Sequence, residues 1–214
     1  MDQKPKDKID TYFPLLLNMT GRRCLVVGAG TVASGKIDSL LRCGADLTVV
    51  SPRAVAAIEE LARNRRLAWL RREFQAEDVR GNLMVVAATN SGATNARIFA
   101  ACREQGVLCN SVDDPEHCDF IYPAVVRRGP LQIAISTGGR SPALASRLRR
   151  ELEEQFGPEW GAWVEELGQK RNALSGETLL PEERRARIEQ MTSPEAFADF
   201  LRRHRAAAEE PKND

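Results

Sequence analysis

Hydrophobic residues in the first half of the chain form short continuous runs that alternate with segments of helical periodicity. Such runs are predicted to be buried parallel strands, because a strand covered on both faces carries apolar side chains at every position. The predicted strands span residues 23–27, 47–50, 67–70, 83–88 and 107–110. Residues 21–113 are therefore predicted to form a doubly wound α/β domain. We expect its second helix to begin at an N-cap Ser51 followed by Pro52.

The pattern changes after residue 113. Residues 124–127 and 131–136 alternate apolar and polar side chains around a Gly-Pro turn, which is typical of antiparallel strands with one exposed face. Helical segments follow, beginning with one that Ser141-Pro142 starts and that runs to about residue 156. The later helices are predicted at 159–174, at 182–191 and from Ser193-Pro194 onward.

The change of pattern predicts three domains: 1–113, 114–146 and 147–214. The segment 114–146 is too small to bury a core of its own, and its alternating strands would leave apolar edges exposed. We therefore expect it to form the contact surface of a two-fold homodimer.

Composition and charge limit the partners of such a protein. Apolar residues make up 43% of the chain and charged residues 29%, and Lys plus Arg number 31 against 30 Asp plus Glu. A balanced charge does not favour a general nucleic-acid binder, and no apolar run reaches the roughly 18 residues of a membrane helix. The polar amino terminus lacks a signal-peptide pattern, and the five cysteines form no C-x-x-C pair. We expect a cytoplasmic protein with reduced thiols and with neither nucleic acid nor membrane as a partner.

One segment of the chain lacks acidic residues. Residues 121–150 contain no Asp or Glu. They carry six arginines: Arg127, Arg128, Arg140, Arg147, Arg149 and Arg150. The segment is interpreted either as a binding surface for an anionic ligand or as a solvated basic face. Nucleic acid is disfavoured, because Tyr122 is the one aromatic residue there to stack on bases.

A glycine motif, Gly28-x-Gly30-x-x-Ala33, follows the first predicted strand and opens the first predicted helix. In this context the first glycine permits a tight turn, and the second lets a pyrophosphate approach the backbone. The amino terminus of the helix offers N–H groups to the phosphates. The motif therefore predicts a dinucleotide site.

The ribose end of that site departs from the usual pattern. An acidic residue is expected about 20 positions after the motif, but the second strand ends in Ser51-Pro52-Arg53. Ser51 is able to bind a ribose hydroxyl and Arg53 a 2′-phosphate. The motif alone thus leaves NAD and NADP open.

A second polar segment runs from Asn110 to Asp114, at the carboxyl end of a predicted parallel strand. Open α/β sheets bind ligands at this edge, so Asp113 is placed to accept a proton beside a nicotinamide ring. The alternative is a turn residue ahead of a proline. His117 and its neighbouring cysteines match no standard metal spacing, so no resident metal is predicted.

A third polar segment precedes the helix at Ser141. It consists of Thr137, Gly138, Gly139 and Arg140, and Arg147 lies on the helix that follows. Glycines, a hydroxyl and an arginine before a helix amino terminus are typical of an anion site. Together with the acid-free segment, this loop favours an anionic ligand over a solvated face.

Six motifs occur in a characteristic order. They are Tyr12-Phe13-Pro14-Leu15, Val26-Val27-Gly28-Ala29-Gly30-x-Val32-Ala33, Ala87-Ala88-Thr89-Asn90, Asn110-Ser111-Val112-Asp113, Phe120-Ile121-x-Pro123-Ala124 and Ile135-Ser136-Thr137-Gly138-Gly139-x-Ser141-Pro142-Ala143. Over roughly residues 12–170 they resemble the precorrin-2 dehydrogenase / sirohydrochlorin ferrochelatase domain of siroheme synthases. The resemblance implies a Rossmann-like NAD-binding sheet, a small antiparallel dimerisation region and a helical carboxyl-terminal region.

The resemblance also implies an activity. In this family NAD⁺ oxidises precorrin-2 to sirohydrochlorin, and some members insert Fe²⁺ into the product to give siroheme. Bifunctional members add a methyltransferase domain, for which we expect no room in 214 residues. The tetrapyrrole carries many carboxylates, which suits an arginine-rich, acid-free segment.

Residue roles follow from the resemblance. Asp113 is the implied proton acceptor, and the cofactor is implied to be NAD. The implied cofactor contacts are Gly28, Gly30, Thr31, Val32, Ser51, Pro52, Arg53, Thr89 and Asn90. The implied substrate contacts are Thr137, Gly138, Gly139, Arg140 and Arg147.

Two other classes of function remain open from the residues. One is an oxidoreductase of the same fold that acts on a different anionic substrate. The other is a non-catalytic regulatory module that binds NAD. Such a module would need neither Asp113 nor the arginine-rich segment.

Overall fold

The computed structural model describes residues 12–209. Residues 1–11, whose polar sequence predicts the absence of a signal peptide, lie outside the described residues, as do residues 210–214. The chain divides after Ile121 into two compact units. Within residues 12–209, no helix is both long enough and apolar enough to cross a bilayer.

The first unit is built on a five-stranded parallel sheet. Its strands are β1 (Arg23–Val27), β2 (Asp46–Val50), β3 (Ala68–Leu70), β4 (Met84–Ala87) and β5 (Leu108–Ser111). Their spatial order is β3-β2-β1-β4-β5, and every neighbouring pair is parallel. The connecting helices are α1 (Thr31–Arg42), α2 (Ala56–Arg63) and α3 (Gly92–Gln105). The predicted doubly wound fold is confirmed.

Continuous apolar runs produce this sheet because helices cover both of its faces. Four of the five residues of β1 and all four of β4 are buried. Helix α1 buries Ala33, Ile37 and Leu40, which recur at helical spacing on one face. On α3, Ile98 and Cys102 pack into the core cluster that also includes β4 and β5 side chains.

The predicted start of the second helix is wrong. Helix α2 begins at Ala56 with Val55 as N-cap, four residues after the predicted Ser51-Pro52 start. The N–H of Ser51 instead donates to the Leu70 carbonyl of β3, which keeps Ser51 in the sheet. The Val55 N–H donates to the carbonyl of Ala29, which lies in the turn after β1. The chain therefore passes beside that turn before α2 begins.

The second unit begins with a hairpin of β6 (Ala124–Arg128) and β7 (Leu131–Ile135), paired antiparallel. Half-buried and exposed residues alternate along β7, as the pattern predicts. The helices are α4 (Pro142–Gln155), α5 (Glu159–Ser175), α6 (Pro181–Met191) and α7 (Pro194–Glu209). The hairpin and these helices lie in one compact unit, and the boundaries at 113 and 146 remain predictions.

The hairpin turn lies directly on α5. A Cβ added to Gly161 would lie 3.0 Å from the carbonyl carbon of Arg128, and one added to Gly129 would lie 3.3 Å from the Cα of Gly161. Trp160 and Trp163 pack against Phe197 of α7, with ring centroids 4.5 and 4.6 Å from it. These tryptophans pack α5 against α7.

Candidate active site

The carboxyl ends of four strands form one row in the first unit. Val27 of β1 is paired in register with Val50 of β2 and with Ala87 of β4, and Ala87 is paired with Ser111 of β5. Residues one or two positions beyond these pairs therefore share one edge of the sheet. Since neighbouring strands lie about 4.8 Å apart, the ends of β1 and β5 are separated by about 10 Å. The predicted cofactor turn and Asp113 thus meet at the same edge.

Gly28 makes the first turn of this row. Its φ is +105°, and a Cβ would overlap the Ala88 carbonyl oxygen and lie 2.6 Å from the carbonyl carbon. The Gly28 N–H donates to the Val50 carbonyl at 2.9 Å, and the Ala88 N–H donates to the Val27 carbonyl at 2.8 Å. Glycine is required here because the backbone of β4 occupies the space of a side chain.

Gly30 differs from Gly28, because open space surrounds the position of its missing Cβ. Gly30 is the N-cap of α1 and provides no side-chain hydrogen bond to the first turn. By contrast, serine hydroxyls cap α3 and α4. Thr31 and Val32 are exposed beside it, Val32 at 57%. The N–H groups of this helix start therefore fit a bound pyrophosphate.

The residues after β2 are held in a bend. The Ser51 hydroxyl donates to the Arg53 carbonyl at 2.7 Å, and the indole of Trp69 donates to the Ser51 carbonyl at 2.9 Å. Pro52 and Arg53 are exposed. Within the described structure, the Arg53 guanidinium makes no hydrogen bond or ion pair, so it is accessible to an anion at this end.

Thr89 and Asn90 follow β4, and a residue absent from the sequence prediction fixes their turn. Asn95 of α3 is 94% buried, and its amide oxygen accepts hydrogen bonds from the Thr89 hydroxyl at 2.7 Å and the Thr89 N–H at 3.3 Å. Asn90 is exposed. In the sequence, the sign of this role is that the polar Asn95 lies on the same face of α3 as the buried Ile98 and Cys102.

Asp113 lies in a strained turn after β5. Its φ is +62°, a left-handed conformation that is rare for a residue other than glycine. Its side chain is exposed and makes no hydrogen bond or ion pair with the described residues. The preceding Val112 N–H donates to the Ala87 carbonyl at 2.9 Å, which fixes the turn to β4. Asp113 is therefore available to a ligand at the row of strand ends.

Lys36 of α1 contributes a charge near this turn that the sequence analysis did not single out. Burial lowers the pKa of the half-buried Lys36, and the negative charge of Asp113 partly offsets that effect. Helix α1 therefore brings a cation toward the side of the site that carries the candidate base. In the sequence, the sign of this placement is that Lys36 precedes Ile37, which α1 buries.

The segment after Asp113 folds back through several polar contacts. His117 Nδ1 lies 2.6 Å from Asp114 Oδ2, and the Cys118 thiol donates to the Ser111 and Asp114 carbonyls at 3.1 and 3.2 Å. Within the described residues, no group of three or more His, Cys, Asp or Glu is arranged to hold a metal ion. All five cysteines are free thiols.

The glycine loop lies in the second unit. The Thr137 hydroxyl accepts from the Ser141 N–H at 3.0 Å, the Thr137 carbonyl accepts from the Arg140 N–H at 3.1 Å, and the Gly138 N–H donates to Ser136. Gly138 and Gly139 have φ of +60° and +78°, with open space at both Cβ positions. Because these N–H groups already form hydrogen bonds within the loop, the Arg140 side chain is the group that would bind an anion there.

The six arginines of the acid-free segment divide into two sets. Arg128 donates to the Phe156 and Glu153 carbonyls at 2.7 and 2.9 Å and so caps the end of α4. Arg147 and Arg149 form ion pairs with acids one helical turn later, Glu151 and Glu153, at 3.2 and 2.5 Å. Arg127, Arg140 and Arg150 are exposed and form no ion pair within the described structure.

The described site defines a class of protein: a Rossmann-type dinucleotide-binding fold with a carboxylate at the ligand edge of its sheet. Comparisons with known proteins agree with this class. Residues 15–124 match a family model described as "Putative NAD(P)-binding", and residues 128–155 match one described as "Sirohaem biosynthesis protein central". The chain belongs to the sirohaem-biosynthesis family of NAD(P)-binding proteins that these models describe.

Similar proteins include whole enzymes and a solved structure. The siroheme synthase of Neisseria meningitidis serogroup C is 40% identical over 174 residues, which are 81% of this chain and 36% of that protein. The siroheme synthase of Actinobacillus pleuropneumoniae serotype 3 is 33% identical over 193 residues, 90% of this chain and 40% of that protein. The chain thus spans little more than a third of these relatives. The structure of SirC, a precorrin-2 dehydrogenase, is 27% identical with a TM-score of 0.75, covering 90% of this chain and 98% of that one.

Proposed function

We propose that the chain catalyses the NAD⁺-dependent oxidation of precorrin-2 to sirohydrochlorin, a step of siroheme biosynthesis. The observation that carries the proposal is the row of strand ends, which brings the cofactor turn at Gly28 and the carboxylate of Asp113 to one edge of the sheet. The similarity to SirC, which extends over nearly the whole of both chains, supports the same reaction.

The cofactor is held mainly by backbone groups in this proposal. The uncapped N–H groups at the start of α1 bind the pyrophosphate, and the open space at Gly30 lets it approach. Ser51 binds a ribose hydroxyl at the end of β2, and Thr89 and Asn90 line the end of β4. Bound NAD⁺ supplies the hydride acceptor for the macrocycle.

Asp113 accepts the proton that leaves the macrocycle when the hydride departs. Its exposed carboxylate competes with no hydrogen bond from the described residues, so both oxygens are available to the substrate. The fixed turn holds its backbone in place before substrate binds. In the second unit, the exposed Arg140 forms no ion pair within the described structure, and we assign it to a carboxylate of the tetrapyrrole.

The test is an anaerobic mixture of the purified protein, NAD⁺ and precorrin-2, followed by absorption spectroscopy. Formation of NADH together with the sirohydrochlorin spectrum supports the proposal. NAD⁺ binding without turnover would point to a regulatory module. NAD⁺ reduction with other anionic substrates but not with precorrin-2 would assign a different oxidoreductase activity.

Iron insertion is the second candidate activity. The relatives are named siroheme synthases, and the exposed carboxylate of Asp113 is suited to accept the pyrrole protons that leave as Fe²⁺ enters. Sirohydrochlorin mixed with Fe²⁺ should then give the siroheme spectrum faster with the protein than without it. An equal rate would remove this activity from the proposal.

We also propose a homodimer and a cytoplasmic location. The hairpin edges and the exposed apolar residues Phe13 and Leu16, at 84% and 75% exposure, favour burial by a second copy. Five free thiols favour a reducing compartment. Sedimentation tests the dimer: a fully active monomer at micromolar concentration would contradict it.

A further inference from the structure

A histidine and an aspartate form a hydrogen-bonded pair directly after the candidate base. His117 Nδ1 and Asp114 Oδ2 are 2.6 Å apart, and both side chains are about one-third exposed. An ionised carboxylate only accepts hydrogen bonds, so Nδ1 of a neutral imidazole must carry the proton. Nε2 is then the basic nitrogen, and within the described residues it has no hydrogen-bond partner.

The ring of His117 contacts one aromatic neighbour besides Asp114, and its backbone is hydrogen-bonded to the same turn. Phe99 of α3 packs against the ring edge to face, with centroids 4.9 Å apart and planes at 68°. The His117 N–H donates to the Asp114 carbonyl at 3.1 Å, and the Asp114 N–H donates to the Ser111 carbonyl at 3.3 Å. An imidazole oriented by a carboxylate, with its second nitrogen unused, is the arrangement that proteins use for proton transfer.

The proposed reaction needs such a group. Oxidation of precorrin-2 moves one hydride to NAD⁺ and releases one proton, which Asp113 accepts. Asp113 must lose this proton before the next turnover. A macrocycle bound over the exposed Asp113 would separate it from bulk water. Asp114 follows Asp113 directly in the chain, and His117 lies four residues after it.

We propose that His117, oriented by Asp114, is a proton relay for Asp113. The relay rests on the proposed dehydrogenase function. The proton passes from the Asp113 carboxyl group to Nε2 of His117, directly or through one water molecule, and from there to a buffer base in solution. The O–H bond of Asp113 breaks, an N–H bond forms on His117, and that bond breaks in turn, so no electrons are exchanged.

Other charged groups surround the pair. On α3, Arg103 lies over the Phe99 ring at 6.0 Å and pairs with Asp119 at 3.2 Å. On α1, Lys36 interacts electrostatically with Asp113.

The experiment compares His117→Gln and Asp114→Asn with His204→Gln. Glutamine keeps an N–H donor for Asp114 but cannot relay a proton, so the turn is preserved. His204 is the second histidine of the chain; it is exposed on α7 and stacked on Phe200, which makes it the matched control. Rates of NADH formation are measured from pH 5 to 9 at saturating substrate, with melting temperatures for each variant.

We expect kcat of His117→Gln to fall between about 3- and 30-fold, less than the 10²–10⁴-fold of a direct proton acceptor, because water replaces the relay in part. The dependence of kcat on pH should also differ from that of the wild type. Added imidazole should restore the rate of this variant and leave that of His204→Gln unchanged.

The tautomer offers a readout that does not depend on activity. In the His204→Gln background, ¹⁵N NMR of the remaining histidine should show a protonated Nδ1, and adding Asp114→Asn should shift the proton to Nε2. A wild-type kcat and pH profile for His117→Gln, or a loss that follows melting temperature and resists imidazole, would overturn the relay. Wild-type protein that leaves precorrin-2 unoxidised, with the expected tautomer present, would instead overturn the proposed function and the relay with it.

Discussion

Alanine is predicted to have different effects at the two glycines of the motif: at Gly28 it should lower the stability of the protein, and at Gly30 it should weaken NAD⁺ binding. In Gly28→Ala the new Cβ meets the Ala88 carbonyl group, and the φ of +105° is unfavourable for any side chain. The left-handed backbone costs about 1–2 kcal/mol and forced overpacking about 1–3 kcal/mol, so the variant should lose about 2–5 kcal/mol. For a chain of this length that lowers Tm by roughly 4–20 °C.

Gly30→Ala should leave stability nearly unchanged, because open space surrounds the position and its φ is −86°. The added methyl group occupies the space through which a pyrophosphate approaches, so the Kd for NAD⁺ should rise by about tenfold or more. Gly35→Ala, at an open position inside α1, is the control: it should stabilise by about 0.5–1 kcal/mol and leave NAD⁺ binding unchanged.

Differential scanning calorimetry gives Tm, and isothermal titration calorimetry gives the Kd for NAD⁺. A Gly28→Ala protein with the Tm of the wild type would refute the steric argument. A Gly30→Ala protein that binds NAD⁺ normally would show that the cofactor does not approach the start of α1.

Four further outcomes are expected. Asp113→Asn should lower kcat for dehydrogenation by about 10²–10⁴-fold and leave the Kd for NAD⁺ unchanged; a near-normal kcat would move the base elsewhere. Isothermal titration should show NAD⁺ binding more tightly than NADP⁺; NADP⁺ binding tighter by about tenfold would contradict this and would assign Arg53 to the 2′-phosphate. Arg140→Ala should raise KM for the tetrapyrrole with little change in kcat, and added salt should reproduce this effect in steady-state kinetics. Burial favours neutral Asp78, but hydrogen bonds from Arg72 and from the Gln75 N–H together lower its pKa. The stability that this pair contributes should therefore be present above about pH 4 and be lost as the pH falls further. Asp78→Asn should remove this step from the acid unfolding of the protein.

Local patterns predicted the elements well wherever burial alone decides the structure. The strands and most helix ends agree within about two residues, because continuous apolar runs and N-cap serines act over short distances. The start of α2 is the instructive exception. Ser51-Pro52 is a good N-cap sequence, yet a backbone hydrogen bond to Leu70, 19 residues later, keeps Ser51 in the sheet. The local sequence around Ser51 does not indicate a hydrogen bond to a residue this far along the chain.

The candidate site could be predicted only in part for the same reason. The motif residues were visible because each follows a strand end, and parallel strands bring these ends to one edge. Side chains that reach the site from helix faces, Lys36 and Asn95, carry no motif and depend on packing between elements. Arg128 illustrates the converse: its charge indicated a ligand, but its guanidinium caps a helix of its own unit.

The uncapped start of α1 has a consequence for how this protein tolerates change. Main-chain amides have the same chemistry whichever residue carries them, so under the proposed function we expect substitutions at Thr31 or Val32 to alter access to the phosphates without deleting a donor. Under the proposed function, discrimination between cofactors is left to the short bend at Ser51–Arg53, in which the Ser51 hydroxyl holds the backbone and the Pro52 and Arg53 side chains are exposed. Under the proposed function, NAD⁺ affinity and cofactor selectivity thus depend on different parts of the chain, and we expect substitutions at Arg53 to change cofactor preference without unfolding the protein.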